Sequence, residues 1–159
     1  MNDNYLLTGG NVGNRLHYLQ KAYELIESKV DAIVKKSSIY QTAPWGFTQQ
    51  QPFLNQVLCI TTTLEPAALL NQLLSIELQL GRQRMEKMGP RVIDIDILFY
   101  GNKVVSTPDL VIPHPRITER RFVLTPLNEI APDFIHPVFN KTIRELLLDC
   151  SDELEVKIY

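Results

Sequence analysis

The sequence predicts an α+β fold in which one antiparallel sheet carries helices on one face and an active-site cleft on the other. Strand-like apolar runs occur near residues 5–8, 34–42, 54–63 and 92–99, and apolar residues at helical spacing follow the first and third runs. The resulting β-α-β-β-α-β order is typical of the ferredoxin-like split βαβ arrangement. With 159 residues and no internal repeat or linker, the chain has the length of one domain, which we place at residues 1–159.

The first strand leads into a glycine-rich turn. After Tyr5 to Thr8 the chain reads GGNVGN at 9–14, and apolar residues then recur at helical spacing. A strand, a glycine-rich loop and a helix resemble a nucleotide cradle, but the Lys-Ser/Thr pair of a P-loop is missing and Asn11 breaks the GxGxxG spacing. We therefore interpret the segment as a tight turn that needs positive φ.

The second and third strands flank a loop with aromatic side chains. Residues 43–47 read APWGF and precede a polar run, which indicates a loop that either caps the core or acts as a lid. In the third strand Phe53 and Asn55 share a face. A ring beside an amide offers a planar heterocycle a stacking surface, a donor and an acceptor. The local pattern alone still favours a solvated Asn55.

The second helix has clear ends. Pro66 suits a first helical turn, Gly81 suits a helix stop, and leucine and isoleucine residues between them recur every three or four positions. Glu77 lies on the edge of this apolar stripe, where helix propensity alone favours a solvated side chain.

A basic segment precedes two carboxylates in the fourth strand. Alternation places Asp94 and Asp96 on one face and four apolar residues on the other, Ile93, Ile95, Ile97 and Phe99. Two such charges about 6 to 7 Å apart repel each other unless a cation lies between them, and Mg²⁺ binds carboxylates together with substrate phosphates. An isolated Asp pair would indicate only a solvent-facing strand edge. The nearby Arg82, Arg84, Lys87 and Arg91 favour a metal-bound polyphosphate.

A second basic cluster follows a rigid turn. Pro113 and Pro115 fix the backbone around His114, and Arg116, Arg120 and Arg121 follow closely. The remaining chain looks structural. We expect Pro126 and Pro132 to bound short helical turns, and residues 142–145 to form a capping box that opens a final helix.

Composition restricts the class of protein. The chain is 45% hydrophobic and 21% charged, with a formal net charge of -2. This charge is not typical of proteins that bind nucleic acid or an anionic membrane. Cys59 and Cys150 lack metal-site spacing and fit reduced thiols, and no signal peptide or membrane span is evident. We expect a cytoplasmic monomer.

The segment KMGPRVIDIDIL at 87–98 resembles the signature of the 6-hydroxymethyl-7,8-dihydropterin pyrophosphokinase family. Members of this folate-biosynthesis family move pyrophosphate from ATP to the hydroxymethyl group of a pterin and release AMP. The resemblance implies an ATP-dependent pyrophosphokinase with ATP and 6-hydroxymethyl-7,8-dihydropterin as substrates. It also implies two Mg²⁺ ions that arrive with ATP and are held by Asp94 and Asp96.

The resemblance also implies roles for individual side chains. The catalytic set is Arg82, Arg84, Arg91, Asp94 and Asp96. The ATP-binding set is Glu77, Arg82, Arg84, Arg91, Ile97, His114, Arg116 and Arg120. The pterin-binding set is Thr42, Ala43, Trp45, Phe53, Asn55, Asp94 and Phe122, in which Phe53 and Phe122 sandwich the ring.

Two positions depart from the family pattern. Leu74 stands where members carry a polar residue, and Met88 stands where some carry Trp. We expect residues 83–90 to form a mobile lid over the site, with a seal that depends more on Arg82 and Arg84 than on aromatic packing. Catalysis would rest on positioning and electrostatics, and no general base is assigned.

Two alternatives remain open. A Mg²⁺-dependent phosphohydrolase would use the same carboxylates. A non-catalytic ferredoxin-like module would bind RNA or another anion through the arginines, but the acidic pI near 5.9 and the Asp pair argue against it.

Overall fold

The computed structural model describes residues 3–43, 51–81 and 92–159. The first half of the chain contains β1 (Asn4–Gly10), α1 (Arg15–Lys29), β2 (Ile33–Lys36), β3 (Tyr40–Thr42), β4 (Phe53–Ile60) and α2 (Pro66–Gln79). The second half contains β5 (Asp94–Tyr100), β6 (Val105–Ser106), β7 (Val111–Ile112), a 3-10 turn (Ile117–Glu119), α3 (Arg121–Ile130), α4 (Ile143–Asp149) and β8 (Val156–Ile158).

The main sheet is antiparallel and follows the order β5-β1-β4-β3-β8, with β2 paired to another part of β4. The predicted β-α-β-β-α-β order is present, but its second strand is divided into β2 and β3. The division is stabilised at Ser37, whose backbone N–H donates to the Val57 carbonyl and whose hydroxyl accepts from the Val57 N–H. Strands β6 and β7 form a separate ribbon.

Helices cover both faces of the sheet. One core cluster joins Leu6 and Leu58 to helices α1 and α2, and a second joins Leu7 and Val57 to α3 and α4. Neighbouring residues of a strand point to opposite faces, so the two clusters lie on opposite sides. Helices α1 and α2 therefore share one face, as expected, but α3 and α4 cover the other face, where we expected only a cleft. The strands carry apolar side chains on both faces, and the C-terminal helices α3 and α4 cover those on the second face.

A register shift in β5 moves one predicted side chain. Tyr5 pairs with Phe99 while Leu6 pairs with Ile97, which leaves Leu98 as an extra residue. Such a bulge reverses the alternation beyond it. Phe99 therefore belongs to the second core cluster, whereas we expected it on the face of Ile97. Asp94 and Asp96 precede the bulge, so their shared face is unaffected.

Turns and helix ends follow local chemistry. Gly13 adopts φ 66° in the predicted turn, although the strand before it continues through Gly10. Asn14 caps α1 by accepting from the His17 N–H. Helix α2 begins at Pro66 and is followed by Gly81 at φ 92°, as predicted.

The C-terminal helices differ partly from expectation. The capping box of Thr142 and Glu145 is present at the start of α4. Pro126, however, lies inside α3, where we expected it to bound a helical turn. It lacks an N–H, so the carbonyl four residues earlier loses its helical donor, yet buried packing of Val123 and Leu127 preserves the helix. Among the helices within the described ranges, none is both long and apolar enough to cross a membrane.

Candidate active site

The strand register brings separate sequence motifs into one row across the sheet. Gly9 of β1 pairs with Asp94 on one side and with Asn55 on the other, and Asn55 pairs with Tyr40. Directly paired residues point to the same face. Neighbouring strands lie about 4.8 Å apart, so the backbones at Asp94 and Asn55 are about 10 Å apart.

Two parallel rows extend this surface. Leu7 pairs with Asp96 on one side of the central row, and Phe53 pairs with Thr42 on the other. All these residues lie on the sheet face against which α3 packs, because Leu7 belongs to the α3 core cluster. The two carboxylates and the strand residues expected to bind the pterin therefore share a face.

Gly9 makes room for Asn55 in the central row. A Cβ atom at Gly9 would overlap the Oδ1 atom of Asn55 and would lie 3.0 Å from the Leu54 carbonyl oxygen. A glycine within a strand often marks such a close approach. From the sequence we expected Gly9 only in a turn, because its role beside Asn55 becomes evident only when the paired strand is known.

The polar side chains of this surface are buried. Asn55 is 5% exposed and Thr42 is 2% exposed. The solvated Asn55 favoured by its local pattern is therefore wrong. The Thr42 hydroxyl oxygen has no hydrogen-bond partner within the described ranges. A buried polar atom without a partner costs about 1–3 kcal/mol, which a ligand group can offset.

Glu77 supports the strand that carries the carboxylates. Its carboxylate accepts from the Ile95 N–H at 2.6 Å, and the residue is 5% exposed, so the solvated alternative is wrong. Strand β5 is at the edge of the sheet. Because backbone groups alternate direction along an antiparallel strand, the Ile97 N–H points outward from the same edge as that of Ile95.

The predicted basic turn places His114 close to Arg116 and Arg120, which both follow it in the sequence. Its backbone N–H donates to the Leu98 carbonyl, and its Nδ1 accepts from the Arg116 N–H at 3.2 Å. Burial, together with the charges of Arg120 and Arg116, lowers the pKa of His114 to about 4. The imidazole is thus neutral near pH 7 and carries its proton on Nε2, where it can donate to an anionic oxygen.

Arg120 connects this turn to helix α3. Its guanidinium lies 5.5 Å from the centroid of the Phe122 ring, which is partly buried against the second core cluster in the first turn of α3. Arg116, in contrast, is exposed. The turn therefore gathers His114, Arg116 and Arg120, and it places Phe122 on the side of the sheet that carries Asn55.

Several predicted residues lie outside the part of the chain that the structure describes. These are Arg82, Arg84, Arg91 and Trp45, together with the lid predicted at 83–90. Ala43 is exposed directly after β3.

The carboxylate pair fits a magnesium site completed by a substrate. Asp94 and Asp96 are half-buried and provide hard oxygen ligands on one face. No group of three or more His, Cys, Asp or Glu side chains placed to hold a metal occurs in residues 3–43, 51–81 and 92–159. Two carboxylates nevertheless suit Mg²⁺, which is usually bound by one or two carboxylates with waters and phosphates.

A family model described as 7,8-dihydro-6-hydroxymethylpterin-pyrophosphokinase (HPPK) matches residues 5–132. The chain belongs to the HPPK family. The matched range contains every candidate residue described above, from Gly9 to Phe122.

Relatives of similar length support the HPPK assignment. The 2-amino-4-hydroxy-6-hydroxymethyldihydropteridine pyrophosphokinase of Aquifex aeolicus is 44% identical over 141 residues, which cover 89% of this chain and 88% of that protein. The enzyme of the same name from Methylorubrum extorquens is 46% identical over 144 residues, which cover 90% of each chain.

Longer relatives contain a similar unit. The Folic acid synthesis protein fol1 of Pneumocystis carinii is 42% identical over 139 residues, but the match spans 87% of this chain and only 19% of that protein. A Plasmodium falciparum HPPK-DHPS crystal structure has a TM-score of 0.75 at 19% identity, over 94% of this chain and 43% of that one. At this identity the structural likeness shows the fold alone.

Proposed function

We propose that this HPPK family member transfers pyrophosphate from ATP to the hydroxymethyl group of 6-hydroxymethyl-7,8-dihydropterin in folate biosynthesis and releases AMP. Membership of the family makes it an ATP-dependent diphosphotransferase. The observation that carries the proposal is the row of Asp94, Gly9 and Asn55. The row brings onto one face of the sheet the carboxylate that would bind the metal and the amide that would recognise the ring.

The proposed architecture is ferredoxin-like, with an active-site cleft on this face. The strand order β5-β1-β4-β3 and the crossovers through α1 and α2 support it. Helix α3 covers part of the same face, so the cleft would lie between α3 and the row that contains Asp94 and Asn55.

The proposed pterin slot lies at the β3 and β4 end of the row. The buried Asn55 amide would donate to and accept from the polar edge of the ring. The Thr42 hydroxyl would gain a partner from the ligand. Phe53 and Phe122 would stack on the two ring faces. Ala43 and Trp45 would contribute through the loop after β3.

The proposed nucleotide site lies at the β5 end. Asp94 and Asp96 would hold two Mg²⁺ ions brought with ATP, which supply charge neutralisation and Lewis acidity when bound. Neutral His114 would donate from Nε2 to a phosphate oxygen, and Arg120 would approach the same charge. Glu77 would act by holding the β5 edge, where the Ile97 backbone could contact the base.

Further cations complete the proposed nucleotide site. Arg116 would face the phosphates from the same turn as His114. Arg82, Arg84 and Arg91 would neutralise charge on the transferred group.

The reaction exchanges one phosphorus–oxygen bond for another. The pterin hydroxymethyl oxygen forms a bond to the β-phosphorus while the bond from that phosphorus to the α-phosphate bridging oxygen breaks. AMP leaves with the bonding electron pair. The hydroxyl proton is released, and no side chain within the described ranges is assigned as its acceptor. Catalysis therefore rests on positioning and charge stabilisation.

The decisive experiment measures AMP with purified protein, ATP and Mg²⁺ in the presence and absence of the pterin alcohol. The proposal expects AMP only when the pterin is present, in equal amounts with pyrophosphorylated pterin. Nucleotide hydrolysis without pterin would indicate a phosphohydrolase. Binding of RNA without nucleotide turnover would indicate a non-catalytic module.

Light scattering tests the proposed monomer, and liposome flotation tests the proposed absence of membrane binding.

A further inference from the structure

A carboxylate of helix α3 joins the strand that borders the proposed pterin slot. Glu129, in the last turn of α3, accepts from the backbone N–H and the hydroxyl of Ser38, each at 3.0 Å, and from the Tyr40 hydroxyl at 2.7 Å. Ser38 lies in the break between β2 and β3, and Tyr40 begins β3. These hydrogen bonds tie the C-terminal end of α3 to the start of β3.

The electrostatics favour a strong link. Burial by itself would raise the pKa of Glu129, but the hydrogen bonds from Tyr40 and Ser38 outweigh burial and hold that pKa below its usual range. Burial and the hydrogen bond to Glu129 raise the pKa of Tyr40 to about 12. An ionised acceptor thus meets neutral donors, and charge-assisted hydrogen bonds are stronger than neutral ones. Because Glu129 is exposed, its bond to the buried Tyr40 is better shielded from water than its bonds to Ser38.

Local helix energetics do not account for this glutamate. The C-terminal end of a helix carries partial negative charge, which disfavours an acidic side chain in the last turn. Helix α3 nevertheless places Glu129 there. Its position is therefore explained by the contacts to Ser38 and Tyr40, which lie about 90 residues earlier in the chain, at separations of 91 and 89.

Both ends of this link reach the slot. Helix α3 carries Phe122 in its first turn, seven residues or about 10 Å from Glu129 along the helix axis. Strand β3 carries Thr42 at its end, and Tyr40 pairs with Asn55. The separation between the Phe122 ring and Asn55 therefore depends on how α3 lies against β3 and β4. Apolar packing is non-directional, whereas the hydrogen bonds of Glu129 are directional.

We propose that Glu129 is a positioning residue that holds α3 against β3 and so sets the spacing between Phe122 and Asn55 for the pterin. The inference rests on the proposed function, and Glu129 itself contributes no group to the substrate.

Glu129→Gln and Tyr40→Phe test the link from its two sides. Both variants should bind the pterin about three- to tenfold more weakly by calorimetry without nucleotide, because two walls of the slot lose their alignment. The KM of the pterin should rise by a similar factor while the KM of ATP stays within about twofold. Tyr40→Phe keeps both Ser38 hydrogen bonds and so provides a milder disruption.

Glu145→Gln is the matched control. Glu145 also accepts from a backbone N–H and a hydroxyl, those of Thr142, but it does so at the start of α4. Glu145→Gln should lower the melting temperature by an amount comparable to Glu129→Gln and leave the pterin Kd unchanged.

The double variant Tyr40→Phe with Glu129→Gln separates positioning from general weakening. Because the two substitutions disrupt the same link, their effects should not add. The pterin Kd of the double variant should lie within about twofold of the Kd of whichever single variant binds the pterin more weakly. Unchanged pterin binding in both single variants, with a lower melting temperature, would overturn the proposal. An equal rise in KM for both substrates would also overturn it. If the wild-type protein forms no AMP from ATP, Mg²⁺ and the pterin alcohol, the proposed function itself would be refuted.

Discussion

A methyl group at Gly9 should remove pterin recognition by displacing Asn55. The Cβ atom of Gly9→Ala would overlap Asn55 Oδ1 and approach the Leu54 carbonyl oxygen to 3.0 Å. The backbone cannot retreat easily because Gly9 is paired on both sides, with Asp94 and Asn55. The Asn55 amide must therefore leave its place in the row.

The magnitude follows from the hydrogen bonds that the amide would lose. Each is worth about 0.5–1.5 kcal/mol, so the loss of two weakens pterin binding about 5- to 150-fold. Overpacking destabilises a core by about 1–3 kcal/mol, whereas Gly→Ala at an unstrained site stabilises by about 0.4–1 kcal/mol. Because the overpacking effect is larger, the free energy of unfolding of Gly9→Ala should fall by about 1–2 kcal/mol.

The assay combines pterin calorimetry with urea unfolding. In Gly9→Ala/Asn55→Ala the overlapping side chain is gone, so stability should recover relative to Gly9→Ala while pterin binding stays weak. Gly101→Ala is the control, because Gly101 adopts φ 52° in the turn after β5 and its substitution strains the backbone away from the row. It should lose stability and keep the pterin Kd. Normal pterin affinity in Gly9→Ala would refute the reasoning.

Three further predictions concern single side chains. Asp94→Ala and Asp96→Ala should each lower kcat at least about a hundredfold with MgATP and keep the melting temperature, because the loss of a charge relieves repulsion between the pair; near-normal turnover would remove the metal assignment. Asn55→Ala should weaken pterin binding about tenfold and leave ATP binding unchanged in separate calorimetric titrations, whereas equal losses would indicate a folding role. The pKa of His114, lowered to about 4, predicts that its contribution to stability is present above pH 6.5 and is lost as the pH falls towards 4; unfolding curves of His114→Gln should lack this part of the pH dependence, and identical pH profiles would contradict the assignment.

Local chemistry determined much of this protein from the sequence. The two-residue period of β5 was sufficient to place Asp94 and Asp96 together, since alternation is a property of the strand itself. Proline, glycine and capping residues were sufficient to end α2 and begin α4, because they act within one helical turn. The motif at 87–98 indicated the family that the matched range of 5–132 confirms.

Tertiary structure decided which distant residues share the site. Gly9 of β1 pairs with Asn55, which lies 46 residues later in the chain, and with Asp94, which lies 85 residues later. These pairings join three strands. The bulge at Leu98 reversed the side of Phe99, and no local pattern in β5 reports it. Register between strands and the burial of a polar side chain depend on how the whole sheet and its covering helices pack, so they are settled only when the chain has folded.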